Sequence, residues 1–148
     1  MKKSILITLT ALAVSGSAQA ASSDAGTIYG IIKNLNLTSF PNSVGPRRLA
    51  GRTSFADYGF VIVKKSANGA SIFRRDKGWV MSFRVLSVGP RSLRLCFHDR
   101  GLGRSGDESV PSYNATSALV VSKSPRGLWA AKQVRAGFAS CKNDPNAV

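Results

Sequence analysis

The residues able to do chemistry are few. The chain of 148 residues holds one histidine and seven Asp or Glu against 21 Lys or Arg, a formal charge of +14 at pH 7. His98-Asp99-Arg100 is where the histidine meets a carboxylate, at the end of a strand-like run and beside a glycine-rich stretch. Histidine suits proton transfer near neutral pH, and a hydrolase needs a nucleophile and an orienting acid close to it. Ser105 and Asp107 are near in sequence, but no Gly-x-Ser-x-Gly elbow presents a serine. Paired-carboxylate chemistry could draw only on Asp99, Asp107 and Glu108. His98, Asp99 and Ser105 thus define an alternative, a small secreted hydrolase. The favoured reading of His98 is a hydrogen-bonding residue at a strand end, with no catalytic residues in the chain.

Arginine offers more. Ser43-Val44-Gly45-Pro46-Arg47-Arg48-Leu49 recurs as Ser87-Val88-Gly89-Pro90-Arg91-Ser92-Leu93, differing at one position, with a shorter echo in Pro125-Arg126-Gly127-Leu128. The plain explanation is turn chemistry, because turns require Gly and Pro. The functional one places Arg47, Arg91 and Arg126, with Arg48 beside the first, at loop tips. Guanidinium forks match carboxylate and phosphate bidentately, so tips gathered at one end would bind an anion. Aromatics interleaved with arginine, as in Phe73-Arg74-Arg75 and Phe83-Arg84, could stack nucleic-acid bases. Strand alternation assigns those aromatics to the core instead.

Cys96 and Cys141 are the two cysteines. In an oxidising compartment they form a disulfide, worth roughly 4 kcal/mol by chain entropy for a loop of this length. They lack the Cys-x-x-Cys spacing of redox motifs, and with one histidine they make a poor zinc set, so no metal is expected. Gly101-Leu102-Gly103-Arg104-Ser105-Gly106 fits a dinucleotide pattern, but no helix opens after it to grip a phosphate. No cofactor or cytoplasmic nucleotide is expected.

Lys2 and Lys3, an apolar run over residues 5–14 and Ala18-Gln19-Ala20 are the three parts of a secretory signal peptide. The run is shorter than the roughly 20 residues that span a bilayer. Residues 1–20 are therefore expected to be removed, leaving one domain over 21–148 in the periplasm or medium of a bacterium, with no transmembrane segment. The surrounding elements read as strands. Period-2 patterning marks residues 27–37, 58–65, 70–75, 79–85, 92–98 and 116–122, and 128–135 follows a tight turn as a hairpin partner. Asn68-Gly69 reads as a hairpin turn with positive φ. For Phe83 and Leu95 to share a core, paired residue numbers must sum to an even value, which a three-residue loop Gly89-Pro90-Arg91 would supply. Residues 40–55 read as a long loop, and the tail from 139 as held by Cys141 alone. The pattern predicts an all-β fold, a small antiparallel barrel or sandwich of about seven strands.

The function expected is non-catalytic. A basic exported protein of the bacterial envelope would engage an acidic partner through its basic loops, as an inhibitor or immunity-type protein does. The alternative is a binder of envelope polyanions: lipopolysaccharide, cell-wall polymer or nucleic acid.

Overall fold

Alternation of apolar and polar residues from Phe60 onward builds one antiparallel sheet. The computed structural model describes residues 25–103 and 111–142. Helix α1 (Ala25–Lys33) is followed by an irregular segment, then strands β1 (Phe60–Ser66), β2 (Gly69–Arg74), β3 (Trp79–Val88), β4 (Ser92–Gly101), β5 (Tyr113–Lys123) and β6 (Trp129–Gln133), and the short helix α2 (Ala139–Lys142). The strands lie in sequence order, each hydrogen-bonded to the next. This up-and-down order puts the β1–β2, β3–β4 and β5–β6 turns at one end. The β2–β3 turn and the ends of β4 and β5 nearest Gly101 and Tyr113 lie at the other.

Strand pairing sorts the side chains onto two faces. Phe83 pairs with Phe97, Val85 with Leu95 and Leu95 with Leu119, so these share one face. Ile28, Ile32, Leu35, Leu37, Phe40 and Phe55 cover it as a single buried cluster. Phe97 anchors the centre, stacked on Phe83 at 5.0 Å and edge-on to Phe40 at 5.0 Å. Such pairs contribute about 0.5–1.5 kcal/mol each beyond area burial. On the other face Cys96 bonds to Cys141, with a Cα–Cα distance of 5.4 Å, and ties α2 over Ala118. Arg84 adds a hydrogen bond from Nη2 to the Ser140 carbonyl at 2.7 Å, and the Arg94 guanidinium sits 4.3 Å from the Phe138 ring centre. The tail therefore has more holding it than Cys141, contrary to expectation.

Other expectations need correction. The first strand of the seven is largely a helix, Ala25–Lys33: Ile28 and Ile32 stand one helical turn apart and are buried on one side, and Leu35 beyond the helix bridges to Trp129. The described sheet has six strands and is not a closed barrel. The outer edge of β6 is already occupied, since Asn36 donates to the Trp129 carbonyl at 2.8 Å and Ala131 to Ser39 Oγ at 2.9 Å. The β3–β4 register has the even sum that a shared core requires, from Trp79↔Gly101 to Val85↔Leu95. A bulge after Val85 produces it, not a three-residue loop, and beyond the bulge Val88 pairs with Leu93. The β1–β2 turn forms at Ala67-Asn68 without positive φ. Gly69 is needed instead for close approach: a Cβ there would lie 1.9 Å from the Phe83 carbonyl oxygen. Residues 1–20 with their cleavage site, and Arg104, Ser105, Gly106, Asp107 and Glu108, lie outside the described residues. Among the described residues no helix is long and apolar enough to cross a membrane.

Candidate functional site

The irregular segment 34–59 carries a network of side-chain to backbone hydrogen bonds, and it rests on the sheet through Asp99. Asp99 belongs to the core face of β4, opposite Met81. Its carboxylate accepts Ser43 N–H at 2.6 Å, Ser43 Oγ–H at 3.0 Å and the Trp79 indole N–H. Burial pushes the Asp99 carboxyl above the ordinary value of 3.8, and the bonds from Trp79 and Ser43 oppose that rise. Above this latch, Asn42 Nδ2 donates to the Leu37 carbonyl at 2.6 Å, and Asn42 Oδ1 accepts Val44 N–H at 3.0 Å. A 3-10 turn follows at Gly45–Arg47. Tyr58 OH then accepts Leu49 N–H and donates to the Arg52 carbonyl, both at 3.1 Å. Asp57 accepts Thr53 and Ser54 N–H at 3.0 and 2.9 Å. The Ser54 bond holds its carboxyl below the ordinary value.

The underside of the segment is thus fixed while its outer side chains stay in water. Arg47, Arg48 and Arg52 are exposed, and Leu49 between them is 53% exposed. Arg47 borders a cleft of about 200 Å³. Tyr58, Trp79 and Phe60 line it with apolar surface, and Arg74 brings a second guanidinium. Arg74 also pairs with Asp76 through two contacts of 2.8 Å, a bond that keeps the Asp76 carboxyl low. Tyr113 extends the aromatic floor, with its ring 5.4 Å from Trp79. The cleft is smaller than the roughly 300–1,000 Å³ of pockets that enclose a drug-sized ligand. It has room for one side chain or one small anionic group.

The structure separates the residues that the sequence pattern grouped. Arg47 and Arg48 lie at the cleft end. Arg91 and Arg126 are exposed in the β3–β4 and β5–β6 turns, at the opposite end of ten-residue strands. At about 3.3 Å per residue the two ends are roughly 30 Å apart, well beyond the ~8–10 Å over which exposed charges feel one another in physiological salt. The four arginines make no single cluster.

His98 and Asp99 are not brought together either. As strand neighbours they point to opposite faces. His98 is 2% exposed, and its Nδ1 lies 3.2 Å from Thr116 Oγ1. Ser82 pairs with His98 across β3–β4, and Ser82 Oγ lies 2.8 Å from Ser71 Oγ. Ser71, Ser82, His98 and Thr116 therefore form a hydroxyl and imidazole row across four strands, on the face away from the cleft. Among the described residues no group of three His, Cys, Asp or Glu could hold a metal ion. Arg74, Trp79 and Tyr58 escape sequence reasoning, because only the tertiary fold brings them to Arg47. The arginine-rich loop 40–55 is the available signal.

No protein-family model, curated protein or solved structure matches this chain.

Proposed function

We propose that this is an exported, non-catalytic binding protein that engages an acidic partner protein through the segment around Arg47, Arg48, Leu49 and Arg52 and the adjoining cleft. The observation that carries the reading is the contrast within that segment: Ser43, Asn42, Tyr58 and Asp57 fix its backbone from below while its outer face is cationic with one apolar residue. A loop held in one conformation loses little entropy on binding, which is how inhibitor loops gain affinity. A carboxylate of the partner would enter the cleft between Arg47 and Arg74, over the Trp79 ring, with Leu49 packing beside it. The charge of the molecule supports an acidic partner. Of the described carboxylates, Asp99 is buried, Asp76 is taken by Arg74 and Asp57 by backbone amides. The unmatched surface charge is positive and speeds encounter with an anionic partner. Periplasm or external medium is the proposed address, from the signal-like residues 1–20.

The buried position of His98 and its separation from Asp99 favour binding over hydrolysis. The test is capture of envelope proteins at low and high salt by the parent and by an Arg47→Ala/Leu49→Ser/Arg74→Ala variant. Removing a desolvated, charge-assisted hydrogen bond to the partner should weaken binding by about 1.5–3 kcal/mol, and by far less where water reaches it. Equal capture of the same acidic protein by parent and variant would place the site elsewhere.

A further inference from the structure

The end of the sheet opposite the cleft has a chemistry of its own. Its turns carry two of the most exposed large apolar side chains of the molecule, Val88 at 57% and Leu128 at 58%. Val88 closes β3 beside the turn holding Pro90 and Arg91. Leu128 closes the turn holding Pro125 and Arg126, where its carbonyl accepts Ser124 N–H at 2.7 Å. Lys123 flanks that turn, and Lys65 precedes the third turn at the same end. The described carboxylates all lie toward the other end: Asp57 just before β1 begins, Asp76 in the β2–β3 turn and Asp99 opposite Met81. This end is cationic without an acidic counterpart among the described residues.

We infer that the β3–β4 and β5–β6 turns dock the protein on an anionic phospholipid surface, with Val88 and Leu128 entering the headgroup boundary and Arg91 and Arg126 pairing with lipid phosphates. Positive charge draws a protein to an anionic leaflet, and shallow apolar insertion adds to it. A protein partner fits this end less well. Val88 ends β3 and Leu128 lies in the turn just before β6, three strand spacings away, about 14 Å at 4.8 Å per strand. A protein interface concentrates its apolar anchors in one packed centre. A bilayer accepts separate tips, because lipid closes around each. This goes beyond the proposed protein-binding segment and uses the opposite end of the sheet, so the two readings fail separately.

The experiment is co-sedimentation of the disulfide-bonded protein with vesicles of phosphatidylglycerol and phosphatidylcholine, and with phosphatidylcholine alone. Parent and variants are prepared alike, so residues 1–20 contribute equally to each. The parent should bind the anionic vesicles, and bind them less as salt rises. Val88→Ser/Leu128→Ser should lower partition by about tenfold or more. Arg91→Glu/Arg126→Glu, which leaves the apolar tips in place, should lower it by at least about tenfold at low salt. Arg75→Ala/Lys77→Gly removes two charges from the opposite end and should change it less than about twofold, by distance and screening. Circular dichroism should match across the set, as expected for exposed positions. Failure to bind anionic vesicles, equal binding to neutral ones, or tip variants no weaker than the Arg75/Lys77 variant would overturn the inference.

Discussion

Two stretches of nearly the same sequence fold in opposite senses. In residues 43–49 Val44 is buried and Leu49 exposed; in residues 87–93 Val88 is exposed and Leu93 buried. The first copy turns through a 3-10 helix and puts Arg47 beside the cleft. The second leaves a strand, turns at Gly89 and Pro90, and re-enters the sheet at Ser92. What differs is the support. Ser43 has the Asp99 carboxylate beneath it, whereas Ser87 sits across from Arg94 at a sheet end. Leu93 has Val121 of β5 as its neighbour and joins the core, and Leu49 has no strand to join. Neither Gly45 nor Gly89 takes positive φ, so the shared Gly-Pro step tolerates both outcomes and tertiary contacts choose between them.

Truncating the matched leucines should break the symmetry most visibly. Leu93 is 2% exposed, and Leu93→Ala should cost about 2–5 kcal/mol, the range for leucine cavities in a core. Leu49→Ala should stay within about 0.5 kcal/mol, as exposed sites do. Urea unfolding of both variants, read at equal slope, makes the comparison. Similar destabilisation at the two positions would mean that Leu49 packs against something.

Exchanging the matched serines tests the support itself. Ser43→Ala removes one hydrogen bond to the buried Asp99 carboxylate, and leaving that group under-satisfied should cost about 1–3 kcal/mol. Ser87 is exposed, and Ser87→Ala should be neutral within about 0.5 kcal/mol. The Ser43 variant should also expose its loop to amide exchange, with Val44 and Leu49 N–H losing protection first. Slow exchange at both positions in Ser43→Ala would show that the Asp99 latch is not what holds the segment.

The legible and illegible parts of this fold divide along the same line. Residues 79–85 and 92–98 alternate cleanly, so their strands, their common core and their even pairing sum follow from the pattern. So do the Cys96–Cys141 bond and the hairpin strand after Pro125. The bulge after Val85 does not, because a single inserted residue restores the register whatever the loop length. Residues 27–37 read as strand because Ile, Tyr and Leu favour it, while burial of Ile28 and Ile32, one helical turn apart, goes with a helix that ends at Lys33, and Leu35 beyond it bridges to Trp129. Barrel closure is decided at the edges, and here residues 34–39 occupy the edge of β6. The arginines are visible in the sequence as residues but not as places. Pro-Arg turns look alike in one dimension, and a roughly 30 Å sheet separates Arg47 from Arg91 in three.

The smallest effect expected is on how stability follows pH, and it also belongs to the first copy alone. Burial raises the Asp99 carboxyl above 3.8, so the folded chain holds that proton to higher pH than the unfolded chain does. The stability from this group is fullest below 3.8 and declines as pH rises from there through the raised folded value. Asp57 and Asp76 run the other way. The Ser54 bond and the Arg74 bond lower them, so their contribution is complete above 3.8 and is lost as pH falls through their folded values. Asp99→Asn removes the first behaviour and leaves the second. The difference in Tm, variant minus parent, should therefore climb as pH is raised from about 4 toward 7, whatever its absolute value. Ser87→Ala, which has no carboxylate beneath it, should give a flat difference over the same range. Parallel melting curves for Asp99→Asn and the parent at every pH would mean that Asp99 is as free to ionise in the fold as in water, and the latch under Ser43 would then need a different electrostatic account.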